Sequence, residues 1–185
     1  MRRPCTTTAP APVAVVGLGN VLMDDDGFGS TVIAFLRAGW EFPEEVELVD
    51  GGTPGLHLLA AVHGRDALVV IDTIAGPGAP GELRRFRREE LAALPILSRV
   101  SPHDPAVLEA LALAELTGRG LDVLLVGVVP GSLAMEATLS PPVRAACPAA
   151  AALVVEHLGR LGVPPRVRLH PSAPDAWWLH AKGAR

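Results

Sequence analysis

Runs of apolar residues, broken by polar and glycine-rich junctions, set the pattern of this chain. "VAVVGLG" (13–19), "VELVD" (46–50), "ALVVID" (67–72) and "LDVLLVGVVP" (121–130) read as strands, and the unbroken apolar runs among them suit strands covered on both faces. Between the first two strands a helix is predicted over about 27–38, with Val32, Ile33 and Leu36 on one face. Pro54 suits the first residue of a short helix through "LHLLAAV". A further helix has Asp104 as N-cap, Pro105 at its first position and Gly118 as its stop, with Val107, Leu108, Leu111 and Leu116 facing inward. Ser140 and Pro141 open a last long helix, in which Pro148 predicts a break or kink. "GPGAPG" (76–81) is a turn, and the "ELRRF" after it suits an edge strand.

Strands alternating with helices predict an α/β domain with helices on both sheet faces. The predicted body spans 13–162. Residues 1–12 are rich in Pro, Thr and Ala and are expected to be a flexible N-terminus. From Val163 the sequence turns Pro-rich and basic without periodicity, so 163–185 is expected to be a loose tail or a docking segment that folds back on the domain or touches a partner. Trp177 and Trp178 count against a loose tail, because adjacent tryptophans call for a surface to lie on.

Composition narrows the classes. The chain has 185 residues, enough for one sizeable core, with 49% hydrophobic and only 19% charged residues. The net charge of −4 is uneven: the tail from Val163 carries +3, leaving −7 on the rest. Such an acidic body is a poor partner for phosphate backbones, so no nucleic-acid partner is expected. Cys5 and Cys147 match neither a disulfide framework nor a zinc motif, which suits a reducing, cytoplasmic setting. No apolar stretch reaches the roughly 18 residues of a membrane span, and the start lacks the apolar core of a signal peptide.

The candidate chemistry lies where strands end. Ligands of open α/β sheets bind beyond the carboxyl ends of the strands. There this sequence places Asp24–Asp26 after the first strand, Asp50 at the end of the second and Asp72 at the end of the third, while His103 precedes a helix start. Helix capping accounts for one of the three adjacent aspartates, worth about 0.3–1 kcal/mol, but three in a row repel one another. Asp72 alone reads as a turn cap, and His103 alone as a loop residue fixed by Pro102 and Pro105. Together, two carboxylates and one imidazole suit a divalent ion such as Ni²⁺ or Zn²⁺ and leave positions open for a substrate. Gly51 and Gly52 would let a substrate backbone approach closely.

Other motifs fail. "GLGNVL" has Leu22 where a dinucleotide fingerprint has its third glycine, and the acidic helix entry opposes a pyrophosphate. "DDDG" lacks the spacing of a calcium loop, neither GxSxG nor HExxH occurs, and Cys147 reads as a packed thiol.

The ordered blocks "GLGNVLMDDDGFG", "VDGGTPGLHLL", "ALVVIDTI" with "APGELRRF", "SPHDPAVLEAL" and "LVGVVPGSL…LSPPV" resemble the [NiFe]-hydrogenase maturation endopeptidases over about 13–162. The resemblance implies a three-layer α/β sandwich with a mostly parallel, mixed sheet. It implies a monomeric peptidase that removes the C-terminal extension of a hydrogenase large-subunit precursor after nickel insertion, nickel arriving in the precursor. It further implies that Asp26, Asp72 and His103 are the metal-contacting and catalytic residues, with Asp25 a competitor for the place of Asp26. A nickel-binding checkpoint or escort protein without hydrolytic activity would use the same three residues.

Overall fold

The computed structural model describes residues 12–53, 64–74, 76–93 and 120–179. The expected helices after Pro54 and Asp104, the N-terminal residues 1–11 and His103 lie outside the described residues. The first strand, β1 (Val13–Leu18), leads through a tight 3-10 turn (Asp24–Gly27) into α1 (Phe28–Gly39). A two-residue strand β2 (Trp40–Glu41), then β3 (Val46–Gly52), β4 (Ala67–Thr73) and β5 (Leu83–Arg87) follow. Next come α2 (Arg88–Ala93), β6 (Asp122–Val128), α3 (Pro141–Arg160) and a short β7 (Arg166–Val167).

Five strands form a mixed sheet in the order β3-β1-β4-β6-β5. All neighbours pair in parallel except β5, which runs antiparallel to β6 at the edge, as an arginine-bearing edge strand should. Side-chain alternation divides the core in two. Val13, Val15, Val69, Ile71, Leu124 and Val126 meet α1 and α3 on one face. On the other, Ala14, Val16, Leu68, Val70, Val123 and Leu125 pack with Leu91 of α2. Helices on both faces of a mostly parallel sheet make the α/β sandwich. Burial on both sides explains why β1 and β4 lack the polar alternation of a half-solvated strand.

Two helical details refine the expectation. Ser140 stands at the N-cap of α3, but its hydroxyl makes no capping bond and is used elsewhere, as described below. The helix also continues through Pro148 without a break. Pro148 deprives only the Arg144 carbonyl of its helical donor, and both residues lie on the exposed face, where water can replace it.

The described part of the tail, 163–179, lies back on the domain. Val167 and Arg166 pair antiparallel with Trp40 and Glu41. The Arg168 N–H donates to the Gly39 carbonyl at 2.9 Å, and the Ser172 N–H to that of Ala38 at 3.2 Å. Arg168 Nε donates to the Arg37 carbonyl at 3.1 Å. These carbonyls close α1 and lack helical donors of their own, so the tail satisfies them and sets a cation at the negative helix end. Residues 163–179 are thus a strap across α1.

Candidate functional site

β1 is the point where the chain turns from one side of the sheet to the other: β3 lies on one flank and β4 on the opposite flank. Such a switch leaves a crevice outside the carboxyl ends of β1 and β4. The segment that crosses it must pass close to the backbone, and glycine makes this possible. A Cβ on Gly29, at the start of α1, would lie 2.2 Å from the Leu18 carbonyl oxygen and 2.4 Å from that of Ile71. Gly19, at φ +125°, would place a Cβ 1.7 Å from the Asp26 carbonyl oxygen. Glycines therefore let α1 descend onto the strand ends and carry the acidic turn with it.

Within that turn the three adjacent aspartates have separate tasks. Asp25 is fully buried, and its carboxylate accepts four hydrogen bonds from one distant loop. Gly131 N–H (2.7 Å), Ser132 N–H (3.0 Å) and the Ser140 hydroxyl (2.9 Å) reach Oδ2, while Ser140 N–H (2.6 Å) reaches Oδ1. This explains the missing cap at α3, since the Ser140 hydroxyl is drawn to Asp25. Asp24 adopts φ +41°, a conformation that aspartate tolerates better than most residues, and accepts from the Ser132 hydroxyl at 2.7 Å. Asp24 and Asp25 together bolt the turn to the 131–140 loop.

Asp26 faces the other way. Its Oδ2 accepts from the Asn20 N–H at 2.8 Å and its Oδ1 from the Thr73 hydroxyl at 3.2 Å. Thr73 also donates its backbone N–H to Asp72 Oδ1 at 2.7 Å. One threonine at the end of β4 thus holds both carboxylates, and both residues are almost completely buried, at 4% and 3% exposure. Two of the three predicted residues, Asp26 and Asp72, are each bonded to Thr73 at the switch point; the third, His103, lies outside the described residues. Asp25, the predicted competitor, has its carboxylate occupied by the loop bracket.

The remaining rim residues divide. Asp50, at the end of β3, is exposed and accepts from the Ser30 hydroxyl at 2.6 Å, tying β3 to α1. Gly51 and Gly52 are not equivalent, contrary to the shared role read from the sequence. A Cβ on Gly51 would stand 3.0 Å from both Leu18 Cδ2 and Val16 Cγ1, because a bulge pairs Leu18 with Gly52 and turns Gly51 inward. Gly52, at φ +53°, would meet nothing within 4 Å, so only Gly52 keeps open space for an approaching backbone. Cys147 is fully buried, and burial pushes its thiol up to about 12, so it stays protonated and unreactive.

The profile of the hydrogenase maturation proteases matches residues 31–157. The hydrogenase 2 maturation protease of Escherichia coli strain K12 is 35% identical, over 85% of this chain and 98% of that protein. The chain belongs to the hydrogenase maturation protease family. The hydrogenase expression/formation protein HupM of Azotobacter chroococcum is 37% identical over 82% of this chain and 73% of its own length. The structure of the hydrogenase maturating endopeptidase HybD from E. coli superposes with a TM-score of 0.76 at 33% identity, covering 85% of this chain and 98% of that one. As a member of this protease family, the protein is a peptidase.

For a maturation protease, two contributors here were not singled out from the sequence. Thr73 could have been suspected only from its place beside Asp72, since its link to Asp26 joins residues 47 positions apart. Asn20 acts through its backbone N–H, which any residue other than proline would supply, so its identity carried no signal.

Proposed function

We propose that this peptidase removes the C-terminal extension of a [NiFe]-hydrogenase large-subunit precursor after nickel insertion, and that it recognises the nickel ion held by that precursor. The observation that carries the reading is that two buried carboxylates, Asp26 and Asp72, both accept hydrogen bonds from Thr73. Two like charges at a water-poor rim are unfavourable together, and a cation between them relieves that repulsion. An ion delivered by the precursor does so only when the substrate is ready to be trimmed. Nickel is therefore part of the substrate, with Asp26, Asp72 and His103 completing its coordination. The names of the relatives, which are hydrogenase maturation proteases and hydrogenase formation proteins, support the same class of substrate.

Docking through the ion turns a distant peptide bond into a positioned one. In this arrangement the ion polarises the scissile carbonyl, or one of the two carboxylates activates water. Asn20 and Thr73 keep Asp26 from swinging, so its oxygens meet the substrate without reorganisation.

The test compares nickel-loaded and nickel-free precursor with the purified protein. A shortened large subunit is expected only from the loaded sample, and neither Asp72→Asn nor His103→Ala should produce it. Equal trimming of both samples would falsify nickel recognition. Nickel-dependent association without a shortened product would point instead to a checkpoint protein.

A further inference from the structure

Trp178 lies outside the residues matched by the family profile, 31–157, yet a hydrogen-bond chain joins it to the acidic turn. Its indole N–H donates to Thr31 Oγ1 at 2.9 Å, and the Thr31 hydroxyl donates in turn to the Gly27 carbonyl at 2.7 Å. Gly27 is the residue after Asp26 and closes the Asp24–Gly27 turn. Thr31 is fully buried and Trp178 is 7% exposed, so water does not replace either bond. A hydroxyl that accepts one bond while donating another is polarised, which strengthens both.

Packing follows the same line. Trp178 forms a small apolar cluster with Ala34 of α1 and Ala176 of the strap, and Val21 and Ala137 pack against it. Val21 belongs to the loop that enters the acidic turn, and Ala137 to the 131–140 loop that Asp24 and Asp25 hold. Gly27 closes against the same side, where an added Cβ would stand 3.1 Å from Val21 Cα. The tryptophan and its cluster therefore join α1, the loop that enters the acidic turn and the 131–140 loop, and the strap is anchored independently at the far end of α1 through Arg168 and Ser172.

We propose that Trp178 is a positioning residue for the peptidase site: through Thr31 and Gly27 it sets the turn that presents Asp26. This rests on the function proposed above as far as activity is concerned, but the mechanical part stands on its own. The tail is then a working part of the enzyme.

The experiment uses the whole 185-residue chain and four variants: Trp178→Phe, which keeps an aromatic six-membered ring and loses the pyrrole half with its N–H; Thr31→Val; Thr31→Ser, which keeps the hydroxyl; and the Trp178→Phe/Thr31→Val pair. With nickel-loaded precursor, Trp178→Phe and Thr31→Val should each lower kcat by about threefold to tenfold, the size of one or two lost hydrogen bonds, with KM unchanged. Thr31→Ser should retain the parental kcat, and the double variant should be no worse than Thr31→Val, because both changes break one chain. Amide hydrogen exchange, measured without substrate, should quicken at Asp24–Phe28 and stay unchanged in β4. Parental kcat in Trp178→Phe would overturn the proposal, as would faster exchange spread evenly through β1, β4 and α3. If the parent trims neither precursor, the proposed function has failed, and the exchange comparison still decides whether Trp178 holds the turn.

Discussion

The two ends of the sheet bury ionisable groups in opposite ways. At the carboxyl end, Asp25 and Asp26 are surrounded by N–H and hydroxyl donors aimed at their oxygens. At the amino end, His157 of α3 is buried 3.2 Å from Asp122 Oδ1, but its Nε2 makes no aligned hydrogen bond. Burial, with Arg160 and Arg87 nearby, pulls the imidazole below its usual range despite Asp122. The first end lines the carboxylates of Asp25 and Asp26 with donors, whereas burial at the second favours the neutral imidazole. Donors supplied in advance are what a site needs if charge is to act on a substrate.

The sharpest way to break this comparison is to make the same substitution in a helix at each end. Gly29→Ala forces a Cβ to 2.2 Å from the Leu18 carbonyl oxygen, and neither strand can yield without losing its ladder. We expect destabilisation of more than about 3 kcal/mol and loss of the acidic turn. Gly159→Ala, in α3 near the opposite end, meets nothing within 4 Å. It should raise stability by about 0.5–1 kcal/mol through lower chain entropy in the unfolded state. Urea unfolding measures both; equal effects would show that the close approach of α1 is not what fixes the rim.

A second comparison separates the neighbours Asp25 and Asp26. Asp25→Asn turns an amide towards donors that need acceptors, so it should cost about 2–4 kcal/mol and loosen the 131–140 loop. Asp26→Asn keeps an acceptor for Thr73 or Asn20 and should fold almost normally, while trimming of loaded precursor falls by about 10²-fold or more. Thermal melts beside cleavage assays decide it. The opposite pattern, with Asp25 needed for trimming and Asp26 for stability, would reverse the assignment.

Asp25 and Asp26 also mark where sequence reading stops. The strands were legible because a parallel sheet buried on both faces writes unbroken apolar runs, and "VAVVGLG" and "ALVVID" are such runs. The concentration of aspartate after β1 was legible as charge, but its division was not. What distinguishes Asp25 from Asp26 is a loop more than a hundred residues away that supplies donors to one and not the other. The strap's docking place was not legible for a related reason. It binds the terminal carbonyls of α1, and backbone acceptors leave no periodic pattern in the segment that reaches them. Trp177 and Trp178 were its one visible trace.

The smallest expected effect tests the amino end and concerns pH. His157 is held below its ordinary 6.5 in the folded state, chiefly by burial, so the unfolded chain takes up its proton first as pH falls. Where the unfolded state binds more protons, stability rises with pH. Stability should therefore decline as pH drops through about 6.5 and stop declining, on this account, below the folded value, where both states are protonated. The charged groups acting on the ring are Asp122, which opposes the shift, and Arg160 and Arg87, which reinforce it. His157→Gln removes the titration while keeping a polar side chain of similar reach. Urea midpoints at about pH 7.5 and about pH 5.5 should differ less in the variant than in the parent. An equal loss in both proteins would assign the acid sensitivity to other groups and remove the amino end from the comparison. A smaller loss in the variant would show that this end stays stable by keeping its imidazole neutral, the reverse of the donor-lined carboxylates at the rim.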